Sequence, residues 1–168
     1  MREIELSKQG KLKGKYVALV DNEDYERVSQ FKWHAHVERS NVYASRNILR
    51  SSGKRTVQKL HNFIMGTTGI DHKDGNGLNC QRHNLRPATK LQNNHNNRAH
   101  SDNTSGFKGV VKHPFNKWRA RICVEGKCIH LGTFIDIQDA SDAYDKAALQ
   151  YFGEFALTNK ILKQRRIV

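Results

Sequence analysis

Asp71 and His72 stand side by side in the stretch Gly69 to Asn97, GIDHKDGNGLNCQRHNLRPATKLQNNHNN. It gathers three His, seven Asn and two Asp around turn residues. Turns need some of these groups, but not an Asp-His pair followed by Asn-Leu-Arg and an Asn-rich helical segment. Phosphodiester hydrolysis would use such a set. It needs a base unprotonated near neutral pH, and imidazole, with an unperturbed pKa of about 6.5, suits that task. It also needs positive charge beside the phosphate and the leaving oxygen, which a divalent cation supplies. Mg²⁺ prefers oxygen ligands and keeps several waters. Asp71 offers carboxylate oxygen, and an Asn on a facing helix offers amide oxygen. Neighbours on an extended segment point to opposite sides, so His72 needs a twisted turn to share a centre with Asp71.

Other residues of the stretch have plainer readings. Asp74, Gly75 and Asn76 build a turn. His61 reads either as a packed strand histidine or as a phosphate contact, and His83 and His95 as surface residues. A calcium loop of the EF type fails, because Lys73 and Gly75 fall at its third and fifth positions and neither supplies a side-chain oxygen. The three cysteines, Cys80, Cys123 and Cys128, form no paired C-x-x-C set, so no structural zinc is expected. Their odd number, with no apolar leader in MREIELSKQGKLKGKYV, predicts a reducing, cytoplasmic location. No apolar run reaches the length of a membrane span.

The elements that must position these groups follow from periodicity. Tyr16–Val20 reads as a buried strand, followed by a helical turn with Asp21 as N-cap and Asp24 in a capping box. HAHVERSNVYASRNILRSSGKRTVQKLH alternates apolar and polar residues between the turn signals ERSN and SSGK, which predicts a β-meander. RAHSDNTSG is small, polar and aperiodic, and reads as a linker.

Beyond it, KWRARICVEG alternates, with Trp118, Ala120, Ile122 and Val124 on one face and Lys117, Arg119, Arg121 and Cys123 on the other. A turn at Glu125-Gly126 sends KCIHLGTF back with Ile129 and Leu131 inward and Cys128 and His130 outward. SGFKGVVKH forms an earlier strand with a bulge expected near Gly109. DIQDASDAYDKAALQYFG carries an i, i+3, i+4 apolar stripe, with Asp136 as cap and Gly153 as stop. Three strands backed by one helix leave one sheet face uncovered. That face is expected to carry Arg119, Arg121, His130, Lys108 and Lys112.

The whole chain of 168 residues has 29 Lys+Arg against 16 Asp+Glu, a formal charge of +13. So basic a balance favours a polyanionic partner. Arginines pair bidentately with guanine edges and lysines neutralise phosphates. The basic segments SKQGKLKGK and KILKQRRIV read equally as phosphate contacts or frayed ends.

Two family resemblances then organise these readings. SGFKGVVKHPFNKWRARICVEGKCIHLGTFIDIQDASDAYDKAALQYFGEFALTN resembles the apetala-two/ethylene-response-factor (AP2/ERF) DNA-binding domain over roughly residues 104–159. That implies a three-stranded sheet in the DNA major groove, with contacts at Lys108, His113, Phe115, Arg121 and His130. Val111 and Cys123 stand where that family often has Arg, so its base code does not transfer. The pieces LH at 60–61, DHKDGN at 71–76, NLR at 84–86 and QNNHNN at 92–97 resemble the His-Asn-His (HNH) endonucleases, built on a ββα-metal motif, over roughly residues 57–98.

The second resemblance implies Asp71 and Asn93 as metal ligands and His72 as general base. It gives Asn84 the role of holding the loop that sets His72, with His61 and Asn97 assisting. Many members have His where this chain has Asn93. An amide favours Mg²⁺, then Mn²⁺, over Zn²⁺.

The combined expectation is an α+β chain in four parts. Residues 1–98 form a nuclease domain, with a meander leading into the ββα motif. Residues 99–104 form a linker, 105–160 an AP2/ERF-like sheet packed on one helix, and 161–168 a basic tail. The implied function is a metal-dependent, sequence-targeted DNA endonuclease of homing type, from a phage or mobile element, that nicks or cuts double-stranded DNA as a monomer or homodimer. The rival is a non-catalytic DNA-binding regulator carrying a relic motif. An RNA partner suits the charge, but a major-groove sheet does not suit A-form RNA.

Overall fold

A computed structural model describes residues 1–7, 15–38, 41–96 and 103–165. The chain is a mixed α+β protein, with four small antiparallel sheets and a few helices among the described residues. It divides into two compact units, residues 1–90 and 91–168. No helix among the described residues is long and apolar enough to cross a membrane.

In the first unit, β1 (Arg2–Glu5) pairs with β2 (Val17–Val20), setting Ile4 opposite Ala18. Helix α1 (Asn22–Ser29) follows. The expected meander forms as β3 (His34–Glu38), β4 (Asn41–Leu49) and β5 (Arg55–Lys59), hydrogen-bonded in that order. Then come α2 (Leu60–Met65), β6 (Ile70–His72), one 3-10 turn at Arg82–Asn84 and β7 (Leu85–Pro87), with β6 and β7 paired. Ile4, Ala18, Val20, Val28, Trp33, Leu60, Ile64, Ile70 and Leu85 close one apolar core. The buried Trp33 indole donates to the Val28 carbonyl at 2.9 Å, so its polar edge is satisfied.

The start of α1 departs from expectation. Asp21 is its N-cap residue but makes no side-chain cap bond. Its carboxylate instead accepts from the Gln81 amide at 3.1 Å and the Arg82 backbone N–H at 2.7 Å. Asp24 is no capping-box partner either. It is buried and bound by Arg82 and Arg27. Two guanidiniums compete better for the Asp24 carboxylate than a neutral backbone donor does.

The second unit holds most of α3 (Lys90–His95), where the His95 ring stacks on Phe152 at 3.8 Å rather than lying free on the surface. Its sheet has β8 (Val110–His113), β9 (Lys117–Val124) and β10 (Lys127–Phe134) in the order β10–β9–β8. Helix α4 (Ile137–Phe152) buries Ala140, Tyr144, Ala147 and Ala148 beneath it. Asp136 caps α4 by accepting from the Gln138 N–H at 2.6 Å, and Gly153 ends it.

The irregularity expected near Gly109 lies instead in β10, between His130 and Gly132. Gly109 has another duty. Its φ is +73°, and a Cβ there would sit 2.0 Å from the Tyr144 ring, so only glycine lets the chain pass under that ring. Nor is the chain end simply a basic tail. Helix α5 (Asn159–Arg165) runs through most of it, with the Asp145 carboxylate accepting from the backbone N–H groups of Asn159 and Lys160 at 2.6 and 3.0 Å.

Candidate active site and nucleic-acid face

The β6–β7 ribbon sets Asp71 opposite Arg86 and His72 opposite Leu85. Alternation sends the two acidic and basic neighbours to opposite sides of the strand. On one side the buried Asp71 carboxylate accepts two bonds at Oδ2 from Arg86, from Nε at 3.0 Å and Nη2 at 2.8 Å. Arg86 was not singled out from the sequence. The signal was available in register, since a ribbon that closes on Asp71 must bring the Arg of NLR across from it.

On the other side His72 lies among His61, Tyr43 and Cys80. The His61 and His72 ring centroids are 4.6 Å apart, edge to face, and the Tyr43 ring lies 5.8 and 5.9 Å from them. His72 Nε2 is 3.8 Å from Cys80 Sγ. Both histidines are almost fully buried. Burial is the main cause that pushes the His72 pKa down to about 4, with Lys59 adding to it and the carboxylates of Asp74 and Asp71 opposing. Burial, then His72 and Lys59, pushes His61 to about 3. Both rings are therefore neutral at pH 7. His61 lies in the first turn of helix α2 rather than in a strand, and its side chain is buried. Cys80 had no signal in the sequence; its place is fixed when its N–H bonds to the Leu19 carbonyl at 2.9 Å, docking this loop on β2.

Asn84 organises that loop. Its Oδ1 accepts from the Asp74 N–H at 3.0 Å, and its Nδ2 donates to Asp74 Oδ1 at 2.9 Å and the Asn79 carbonyl at 2.8 Å. Its carbonyl also accepts from the Lys73 N–H at 2.8 Å, one residue after His72. Asp74 and Asn76 act as turn builders, Asp74 accepting from Asn76 and Asn76 from Leu78. At Gly77 an added Cβ would lie 2.5 Å from the Tyr43 ring and the Val42 carbonyl, so the loop needs glycine where it crosses β4. Arg82, beside Asn84 in the 3-10 turn, is tied to α1 through Asp24.

Asn93 is exposed on α3 and belongs to the second unit, whereas Asp71 belongs to the first. Asn97 lies outside the described residues.

The second unit presents a basic sheet face. Arg121 pairs with His130, Arg119 with Thr133 and with Val111, and Lys117 with His113, so these side chains share the face turned away from α4. A shallow groove there is lined by His113, Arg119, Arg121, Cys128, Ile129, His130 and Thr133. Phe115 is 90% exposed in the adjoining turn.

Two lysines expected on this face are elsewhere. Lys112 pairs with Trp118 and so belongs to the opposite face of the sheet. Lys108 turns its ammonium to the His95 carbonyl at 2.7 Å, and burial pushes its pKa down to about 8, with Asp145 opposing. Its backbone N–H and carbonyl are clasped by the Asn159 amide at 2.6 and 3.1 Å. Cys123 and Cys128, whose odd-numbered set predicted a reducing location, stand opposite each other with Cα atoms 3.9 Å apart and are joined as a disulfide on this face.

No family model matches the chain. It is 30% identical over 154 residues, 90% of its length, to an uncharacterised HNH endonuclease of Acanthamoeba polyphaga mimivirus, of which it covers 79%. It is 39% identical over 95 residues, 54% of its length, to an ethylene-responsive transcription factor of Arabidopsis thaliana, covering 58% of that protein. It is also 44% identical over 61 residues, 36% of its length, to an AP2/ERF and B3 domain-containing protein of Oryza sativa subsp. japonica, covering 17% of it. The chain thus spans less than two thirds of these two plant relatives.

Proposed function

We propose that this chain, which belongs to the HNH endonuclease family, is a metal-dependent DNA endonuclease whose second unit selects where it cuts. The observation that carries the reading is Asp71 and His72 adjacent on β6, in a ribbon whose loop is pinned by Asn84.

A neutral ring keeps a nitrogen lone pair ready to take a proton from water. Burial also makes His72 a weak base, since its conjugate acid is strong. Asn84 acts as a positioning residue: by bonding Asp74 and Lys73 it fixes the backbone just after His72. The Asp71 carboxylate is oriented by two Arg86 donors, the kind of outer support that ligating carboxylates have.

The family suggests a divalent metal, and the donors fit a hard one. Asp71 would hold it through carboxylate oxygen, a donor that suits Mg²⁺ or Mn²⁺ better than Zn²⁺. Such a cation would supply positive charge against the phosphate and leaving oxygen and would acidify nearby water.

The second unit's face supports DNA as substrate. Arg119, Arg121, His113 and His130 lie together, a row that a sheet can carry into a major groove. The similarity to plant transcription factors favours a second reading, a DNA-binding regulator without cleavage.

Incubation with supercoiled plasmid separates the two. The nuclease reading expects relaxed or linear product with Mg²⁺, and none with EDTA or with Asp71→Ala. Unchanged plasmid in every lane, beside retained DNA binding, would establish the regulator.

A further inference from the structure

We propose that His61, His72 and Cys80 form a second metal site, for a thiophilic divalent ion such as Zn²⁺, and that filling it takes His72 out of catalysis. The site itself stands on geometry in the first unit. Its inhibitory role rests on the nuclease reading above.

One ligand-capable atom from each of the three side chains lies within 4.8 Å of the other two. His72 Nε2 and Cys80 Sγ are already 3.8 Å apart. Tetrahedral zinc, with bonds of about 2.0 Å to nitrogen and 2.3 Å to sulfur, spaces its ligands by roughly 3.3–3.8 Å. Closing the set therefore needs side-chain movements of about 1 Å or less.

The three ligands come from separate, anchored elements. His61 opens α2, His72 ends β6, and the Cys80 backbone is bonded to β2. The site is also short of a partner. His61 Nδ1 is buried and has no hydrogen-bond partner, in a ring only 4% exposed. A buried imidazole nitrogen without a partner is costly, and a metal ion bound through Nδ1 would supply one.

Ligand chemistry separates this site from the one at Asp71. A thiolate and two imidazoles select zinc-like ions, whereas oxygen donors select Mg²⁺. Asp71 and His72 also leave the strand on opposite sides. On binding, the Cys80 S–H bond breaks, its proton leaves to solvent, and the sulfur donates an electron pair to the ion. Both imidazoles bind in their neutral form. The His72 nitrogen so engaged can no longer take a proton from water.

The test uses the full chain with its Cys123–Cys128 disulfide intact, so that Cys80 is the one thiol present. Co²⁺ is titrated in and the thiolate-to-cobalt absorption is followed, with Zn²⁺ as competitor. One thiolate-bound cobalt per chain is expected. Cys80→Ala should abolish the band, and His61→Gln should weaken binding at least ~100-fold. Zn²⁺ at a hundredfold excess over its Kd should raise the wild-type melting temperature by about 5–10 °C, and leave Cys80→Ala unmoved. Circular dichroism checks that both variants fold.

A cobalt band retained in Cys80→Ala would overturn the site, as would no band in the wild type. The inhibitory role is read as the ratio of Mg²⁺-supported cleavage rates with and without Zn²⁺. A fall of at least tenfold is expected in the wild type and none in Cys80→Ala, and equal ratios would overturn that role. A cobalt band that behaves as expected in a protein that cuts no DNA would uphold the site while removing the nuclease reading.

Discussion

Replacing Asp24 by Asn removes the charge that ties α1 to the turn carrying Asn84, while keeping the side chain's shape. The carboxylate accepts three bonds: from Arg82 Nε at 2.7 Å, Arg82 Nη2 at 2.8 Å and Arg27 Nη2 at 2.7 Å. Its side chain is 3% exposed, whereas those of Arg82 and Arg27 are 44% and 47% exposed. A bond to a buried charge contributes ~1.5–3 kcal/mol. Half-exposed guanidiniums recover water when released, so a value nearer ~1 kcal/mol per bond is apt. The expected loss is therefore about 2–3 kcal/mol. With a urea slope of about 2 kcal/mol/M, the unfolding midpoint falls by about 1–1.5 M. A double-mutant cycle with Arg82→Ala should give a coupling of about 2 kcal/mol.

The pH dependence has a definite sign. Burial raises the Asp24 carboxyl pKa, but its bonds to Arg82 and Arg27 and their charges outweigh that and hold it below its ordinary 3.8. A depressed native pKa gives stability that is present above the unfolded value and is lost as pH falls through the native one. The gap between wild type and Asp24→Asn should thus be constant above about pH 5 and shrink as the pH drops below 3.8. A coupling under ~0.5 kcal/mol, or a gap that persists in strong acid, would refute the reasoning.

Asn84→Ala loses the bonds to Asp74 and Asn79, and should cost about 2–3 kcal/mol in thermal unfolding and slow plasmid cleavage. Asn84→Asp should not rescue it, because a carboxylate cannot donate to Asp74. Gly109→Ala places a methyl 2.0 Å from the Tyr144 ring at a φ of +73°. It should lower stability by more than ~2 kcal/mol, with partial recovery in Gly109→Ala/Tyr144→Leu. Arg121→Ala should weaken binding to a preferred site and reduce the salt slope of binding by about 1, with little change in nicking of non-specific DNA at low salt. Equal loss of both would make Arg121 a general electrostatic contact.

The strands were legible because period-2 alternation is local. Trp118, Ala120 and Ile122 inward, with Arg119 and Arg121 outward, follow from one strand's own sequence. Helix α4 was legible for the same reason, with its cap at Asp136 and its stop at Gly153. What depends on register was not. Lys112 looked like a neighbour of the arginines, yet pairing with Trp118 assigns it to the other face. The Cys123–Cys128 bond and the Asp71–Arg86 pair are likewise decided by which residues stand opposite.

Long-range competition was invisible too. Asp21 and Asp24 carry a cap signature, but Gln81 and Arg82, about 60 residues on, claim both carboxylates. His61 carried a motif signature without a location. Only the docking of α2 against β6 brings it to His72. The chemistry around Asp71, His72 and Asn84 was readable as a set of residue types, and Cys80 was not, because a buried thiol has no periodic mark.

The account turns on His72 as the group that takes a proton from water. The most direct measurement is the single-turnover rate of phosphodiester cleavage with Mn²⁺ for wild type and for His72→Ala, each shown to be folded and to bind DNA alike. A loss of about 10²–10⁴ in rate is expected when a positioned base is removed. Cleavage at the wild-type rate without the imidazole would contradict it.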